Sequence, residues 1–349
     1  MSEPIFIARQ DTLEQEILPA HWLAQYKLFG EESYTFQDKG IWKKLCMSRA
    51  AANDRDMHAE ALEEMLTTFS AEHTGKWMLL VYGMDAAALE GLATMAAIAD
   101  NALLMHAIAN SETAMQRIAN SQTAMQRVAN NRGAMDAIGR SRIARDAVQA
   151  SPYYNSYIKE NDMAIAKLVV GFANLESAGY SGCAGMAADS TAMTAVAASS
   201  TAMTAVAASG VALKAIAQAY KNTANMLQFL KAVNASDTLI KRIYNTLTNA
   251  TALFGTAQLG GQDSVADANK WATTSAAPNA FLACACGYYN SGGASVDVTY
   301  NGTAIAQNKT GTRQPGSVTS TNVNAITMAP STFTENGDGW LAVQKFTVK

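Results

Sequence analysis

The residues best suited to chemistry in this chain are few and dispersed. Cys284 and Cys286 form a CxC pair. In a strand both side chains fall on one face, which suits a metal only if further ligands lie near. His21, His58, His73 and His106 are all far away in the N-terminal part, so the two thiols read as buried and free. His58 with Glu63 and Glu64 reads as the solvated edge of a helix. His106 occupies a repeat position that Gln116 and Gln126 hold elsewhere. Asp263, Asp267, Asp297, Glu335 and Asp338 show no spacing that pairs two carboxylates for acid–base work. No glycine-rich phosphate loop, nucleophile elbow or metalloprotease motif occurs. The expectation is a protein that is not an enzyme, with no catalytic residue, metal or cofactor. A binding role falls instead on Tyr288, Tyr289, Asn290, Tyr300 and Trp340. These aromatic and amide side chains lie near expected turns and suit carbohydrate or protein surfaces, the ring stacking and the amide hydrogen bonding.

The elements that must position these residues are announced by a repeat. Met95, Met105, Met115, Met125 and Met135 stand at ten-residue intervals, accompanied by Ile98, Ile108, Ile118, Val128, Ile138 and Val148. Further on, STAMTAVAAS occurs twice in succession, at 190–199 and 200–209, placing Met193 and Met203 in a second column. The unit S-x-T-A-M-x-x-[IV]-A-N is locally helical, because Ala114, Met115, Ile118 and Ala119 share one helix face. One unbroken helix does not fit: ten residues at about 100° each turn the apolar face by about −80° per repeat. A coiled coil prefers periods of about seven or eleven. The arrangement that keeps every repeat equivalent is a broken helix of about six to eight residues per unit. It turns at Asn110-Ser111 and Asn120-Ser121, and the serine caps the next helix. Stacking then builds a solenoid with a narrow core of Met, Ile/Val and Ala, in which neighbours stabilise helices too short to stand alone.

Around this array the composition changes. Residues 1–80 hold several large aromatics, among them Trp22, Trp42 and Trp77, and dense charge. They read as a helical cap or a docking module. Residues 81–255 form the repeat region, interrupted at 151–188 by SPYYNSY and a glycine-rich turn, GYSGCAG. Leu239, Ile243 and Leu247 continue it as a helical stripe. Residues 256–349 read as a separate small β-sandwich. Strands are expected over 279–289, 295–300, 303–307, 317–328 and 340–348. Asn301-Gly302 is the hairpin signal. The fold class expected is multidomain α+β.

Hydrophobic residues make up 49% of the chain and charged residues only 16%, with a net charge of −3. So few charges suit a surface packed among its own copies, and no basic stripe invites nucleic acid. No apolar run is long enough to span a bilayer. The first residues lack a secretory h-region, and four scattered cysteines make no disulfide framework. The chain is expected to fold in a reducing cytosol without membrane insertion.

The decapeptides, as in 199–209, resemble those of tail-fibre and related virion proteins of tailed bacteriophages. In that group such repeats commonly lead into a small C-terminal β-domain. The resemblance implies a virion component assembled in the bacterial cytoplasm, a homo-oligomer and often a trimer. Residues 1–80 would then dock on other virion proteins, and the β-domain would face a host-surface glycan or protein. A capsid, collar or neck decoration protein with no receptor is the alternative. No catalytic residues carry over.

Overall fold

The computed structural model describes residues 99–100, 105, 108–110, 112–262, 269–272, 279–288, 294–313, 317–337 and 339–349. The architecture is mixed α+β, with twelve helices followed by nine strands among the described residues. The described residues group into two compact units, one ending at Ile158 and the other running Lys159–Lys349. The strands thus share a unit with the second repeat tract. Residues 1–80 lie outside the described residues.

In the first unit the decapeptide is a helix with a corner. α1 (Glu112–Ala119), α2 (Gln122–Asn130), α3 (Arg132–Arg140) and α4 (Arg142–Ala150) follow one another with a single residue or two at each break, and α5 (Tyr154–Tyr157) comes next. Each corner residue is extended, and its side-chain oxygen accepts from a first-turn N–H that has no partner inside the helix. Ser121 accepts from Ala124 N at 3.3 Å, Asn131 from Ala134 N at 2.9 Å and Ser141 from Ala144 N at 3.3 Å. The inward face is apolar: Met105, Met115, Met125 and Met135 are buried, as are Ile118, Val128, Ile138 and Val148. Met95 lies outside the described residues.

The same corners bind successive turns. α4 packs on α1 and α5 on α2. A hydroxyl can donate one hydrogen bond while accepting another, and Ser141 and Ser151 do so. Their hydroxyls donate to Ala109 O and Ala119 O, each 32 residues back, and Asn131 Nδ2 donates to Asp100 O, 31 residues back, at 2.6 Å. These bonds join segments that lie three helices apart in the chain. Arg145 takes the next place in the methionine column. Its Nη1 donates to Gly139 O at 2.7 Å, and burial lowers its pKa.

The second unit opens with α6 (Asp162–Phe172), capped by Asn161 through Ala164 N at 3.1 Å. Asn161 stands ten residues after Ser151, and Ile165 and Leu168 occupy the Met and Ile/Val places. The repeat thus runs on into the stretch that reads as an interruption. Residues 164–172 are all buried, including Lys167, whose Nζ donates to Ser177 O at 3.0 Å. The helix stops at Asn174, left-handed at φ 58°, and Leu175 N returns to Val170 O, a common C-terminal closure. α7 (Cys183–Ala188) is braced by the Asp162 carboxylate, which accepts from Cys183 N at 2.9 Å.

α8 (Ser190–Ala198), α9 (Ser200–Ala208) and α10 (Gly210–Gln218) follow, capped by Asp189, Ser199 and Ser209. α11 (Thr223–Asn234) and α12 (Asp237–Asn249) complete the helices. α9 packs on α6, α10 on α7, α11 on α8 and α12 on α9. The three-helix register passes the 173–182 loop intact. Ser199 Oγ donates to Phe172 O at 3.0 Å and Thr246 Oγ1 to Ala207 O at 2.7 Å, again tying one turn to the next. Among the described residues no single helix is long and apolar enough to cross a membrane. The axes of α8 and α9 bend by 103° at their corner.

The strands are β1 (Phe254–Gln262), β2 (Asn269–Ala272), β3 (Ala280–Tyr288), β4 (Ala294–Tyr300), β5 (Thr303–Thr310), β6 (Thr312–Arg313), β7 (Ala325–Met328), β8 (Ser331–Gly337) and β9 (Gly339–Val348). One sheet runs β1-β9-β3-β6, with β7 also paired to β3, and the other runs β2-β8-β4-β5. β3 is buried along almost its whole length, hence its unbroken apolar run AFLACACGY. Phe281 meets Phe229 of α11, and Phe346, its partner on β9, meets Tyr244 of α12. The opposite face carries Cys284 and Cys286. Cys286 Sγ lies 3.4 Å from Lys309 O in the second sheet. Gly311 fits there because a Cβ would stand 2.5 Å from Cys286 O. Asn234 closes the outer side of β7, its amide donating to Ile326 O at 2.7 Å and accepting from Ile326 N at 3.1 Å.

The hairpin turn is Asn301-Gly302, with φ of 47° and 77°, the left-handed pair that a two-residue turn requires. The expected strand over 317–328 shortens to Ala325–Met328. Asn322 instead folds 317–322 into a turn, accepting from Thr319 N at 2.7 Å and donating to Ser317 O at 2.8 Å.

Candidate functional site

Of the five residues expected to form one binding tip, Tyr288, Tyr300 and Trp340 are described, and these three do not share one end and face. Tyr300 is buried at 2% exposure, and burial raises its pKa. It pairs with Ser331 on β8, just after Ala329, whose N–H donates to Ala280 O at the start of β3. Tyr288 ends β3, roughly 25 Å along the strand from there. Trp340 is half-buried on β9 opposite Gly287, whereas Tyr288 stands opposite Gly339. Directly paired residues share a face and sequence neighbours alternate, so Tyr288 and Trp340 project from opposite faces of the sheet. Tyr289 and Asn290 lie outside the described residues.

Cys183, Cys284 and Cys286 are buried. Burial, reinforced by the neighbouring Cys286, pushes the Cys284 thiol well above its ordinary value, which keeps it protonated and unreactive. Burial does the same for Cys183, beside Asp162. Among the described residues no group of three or more His, Cys, Asp or Glu side chains is placed to hold a metal.

A groove of about 840 Å³ runs along α12 in the second unit. Ala208, Val211, Ala250 and Leu253 give it an apolar floor, and Lys159, Lys241 and Arg242 bring positive charge. Thr238, Asn245 and Asn249 add neutral polar groups along one helical face. Glu160 is the carboxylate among these residues, and it is committed elsewhere. It accepts from Gly210 N at 3.2 Å and Val211 N at 3.1 Å, bracing the start of α10, and lies 3.9 Å from Lys159. The walls are fixed by Thr246, whose hydroxyl ties α12 to Ala207. Gly210 also holds them, because a Cβ there would lie 3.0 Å from Ala250 Cβ and 3.1 Å from Leu253 Cδ1. Sequence reasoning missed this groove because its residues come from three separated segments. The one trace is local: the repeat places Ser190 and then Ser200 where the third copy has Gly210.

A second, smaller groove of about 420 Å³ runs between α1 and α4 in the first unit, beside the exposed Ile143. Glu112 and Asp146 border it.

No protein-family model matches the chain, and no curated protein matches it significantly.

Proposed function

We propose that this chain is a structural protein of a tailed-bacteriophage virion, a fibre or fibre-like appendage that presents its C-terminal β-region for attachment to the host surface. In this reading the decapeptide tracts are solenoid spacers and the two sheets form a β-sandwich. Residues 1–80 join the chain to the particle, and copies associate as a homotrimer. The observation that carries the reading is the coupling of repeat to strands in the second unit. The last helices of the coil, α11 and α12, pack directly on the first sheet through Phe229, Asn234 and Tyr244. A stiff array fused to a β-region transmits position and load, as an appendage must. The low charge of the chain and the decapeptide resemblance support the same reading. Several weak contacts gain strength when presented on one particle.

Immunogold electron microscopy of intact particles, with antibody against residues 256–349, tests this. Label at the tail tip or fibre ends is the expected result. Label over the head, collar or neck makes the protein a decoration component without a receptor, and unlabelled particles end the virion reading.

A further inference from the structure

We propose that the groove along α12 binds an acidic oligosaccharide. Charge selects the ligand. Lys159, Lys241 and Arg242 converge on a groove whose carboxylate, Glu160, is already held by the α10 backbone. The local balance is therefore positive in a chain whose net charge is −3. Lys241 and Arg242 are both exposed, so their charge is available to an incoming anion.

The neutral groups narrow the class. Thr238, Asn245 and Asn249 fall at i, i+7 and i+11, along one side of α12. That face is about 16 Å long at a rise of 1.5 Å per residue. Amides and hydroxyls in a row match a chain of sugar hydroxyls, each able to donate and accept. A peptide strand would need an open backbone edge, and these walls are helices and a helix start. A nucleic acid strand would want stacking platforms, and among the described residues no aromatic side chain lines the groove. That same lack of a stacking ring denies a neutral sugar its usual apolar contact. Binding must then rest on carboxylates meeting Lys241 and Arg242, because Lys159 is paired with Glu160. The site is preformed, since Thr246 and Gly210 fix the distance between α12 and the start of α10. The inference does not depend on the virion reading, and its failure leaves that reading untouched.

The test is isothermal titration of the full chain with hexagalacturonic acid, a linear uronate, beside maltohexaose as the neutral control and hexaglutamate as the peptide control. The expected result is weak but measurable binding of the uronate alone. Affinity should fall about tenfold as sodium chloride rises from about 50 mM to about 500 mM, because exposed charges are screened. K241E/R242E should abolish binding while leaving the melting temperature unchanged, both side chains being exposed. Asn245→Ala should weaken binding severalfold at any salt. No uronate binding at low salt, equal binding of maltohexaose, binding of hexaglutamate in its place, or full binding by K241E/R242E each overturns the proposal.

Discussion

The decapeptides at 190–199 and 200–209 are identical in sequence and differ in environment. Met193, Val196 and Ala192 are buried in the first copy, as Met203, Val206 and Ala202 are in the second. Elsewhere the copies part. Ala195, Ala197 and Ser199 are half-buried, whereas Ala205, Ala207 and Ser209 are buried. The second copy, α9, lies between α6 and α12. The periodic Met and Val positions thus encode the inside of the coil, which every copy shares. The remaining positions report the neighbours, which no copy shares. Alanine satisfies both demands, since it is small enough to bury and loses little when exposed. The first tract can afford Gln126 and Arg127 at the places of Thr204 and Ala205, because that face of α2 is exposed.

Placing a charge at the divergent position should break the equivalence most sharply. Ala205→Glu buries an unpaired carboxylate and should cost on the order of 3–5 kcal/mol. Ala195→Glu has water within reach and should cost far less. Paired denaturant melts of the two variants measure the gap, and equal losses would show that the two environments are alike.

Restoring the repeat at its third copy should also harm. Gly210→Ser recreates the Ser190 and Ser200 pattern but drives a Cβ to 3.0 Å from Ala250 Cβ. A loss of about 1–3 kcal/mol is expected from such overpacking, whereas Ser200→Gly, at an exposed position, should cost less. A Gly210→Ser protein as stable as the parent would mean that α12 moves freely against α10.

Removing caps sharpens the comparison at smaller scale. Ser199→Ala and Ser209→Ala should each lose about 1 kcal/mol, with Ser209→Ala the worse because its site is fully buried. Thermal melts of the two variants side by side decide the order.

The smallest effect expected is at Asp189, the charged corner of the second tract. A hydrogen bond from Tyr180 at 2.8 Å, then those from Ala192 N and Thr191 N, lower its pKa. A depressed carboxyl pKa gives stability that is present above the unfolded value, about 3.9, and lost as pH falls through the folded value. Melting temperature should therefore drop more steeply below about pH 4 in the parent than in Asp189→Asn, which keeps a capping oxygen. Tyr180, pushed up to about 12 chiefly by burial, should resist ionisation in an alkaline absorbance titration until the protein unfolds.

What was legible in the sequence was local. Breaks at Asn120-Ser121, caps at Ser121 and Ser141, the methionine core and the Asn301-Gly302 hairpin each follow from residues within a few positions of one another. What was hidden was non-local. Nothing near Ser141 indicates that its hydroxyl reaches Ala109, and nothing near Phe254 marks β1, whose sequence FGTAQLGGQ is too glycine-rich to read as a strand. β8, STFTENG, is polar rather than glycine-rich, and it is held by its neighbours β2 and β4 and not by propensity. α6 keeps the phase of the repeat at Asn161, Ile165 and Leu168, although SPYYNSY just before it departs from the decapeptide composition. Strand ends close in sequence need not share an end or a face, as the separation of Tyr300, Tyr288 and Trp340 shows.

The corner hydroxyls carry a mechanical consequence. In the first unit, corner side chains are hydrogen-bonded to carbonyls 31 or 32 residues back. In the solenoid proposed above, pulling along the axis breaks one such row before the next, and each failure releases on the order of 100 Å of contour. Such an array extends in even steps under load, absorbing work at each one, and rewinds turn by turn when the load is removed.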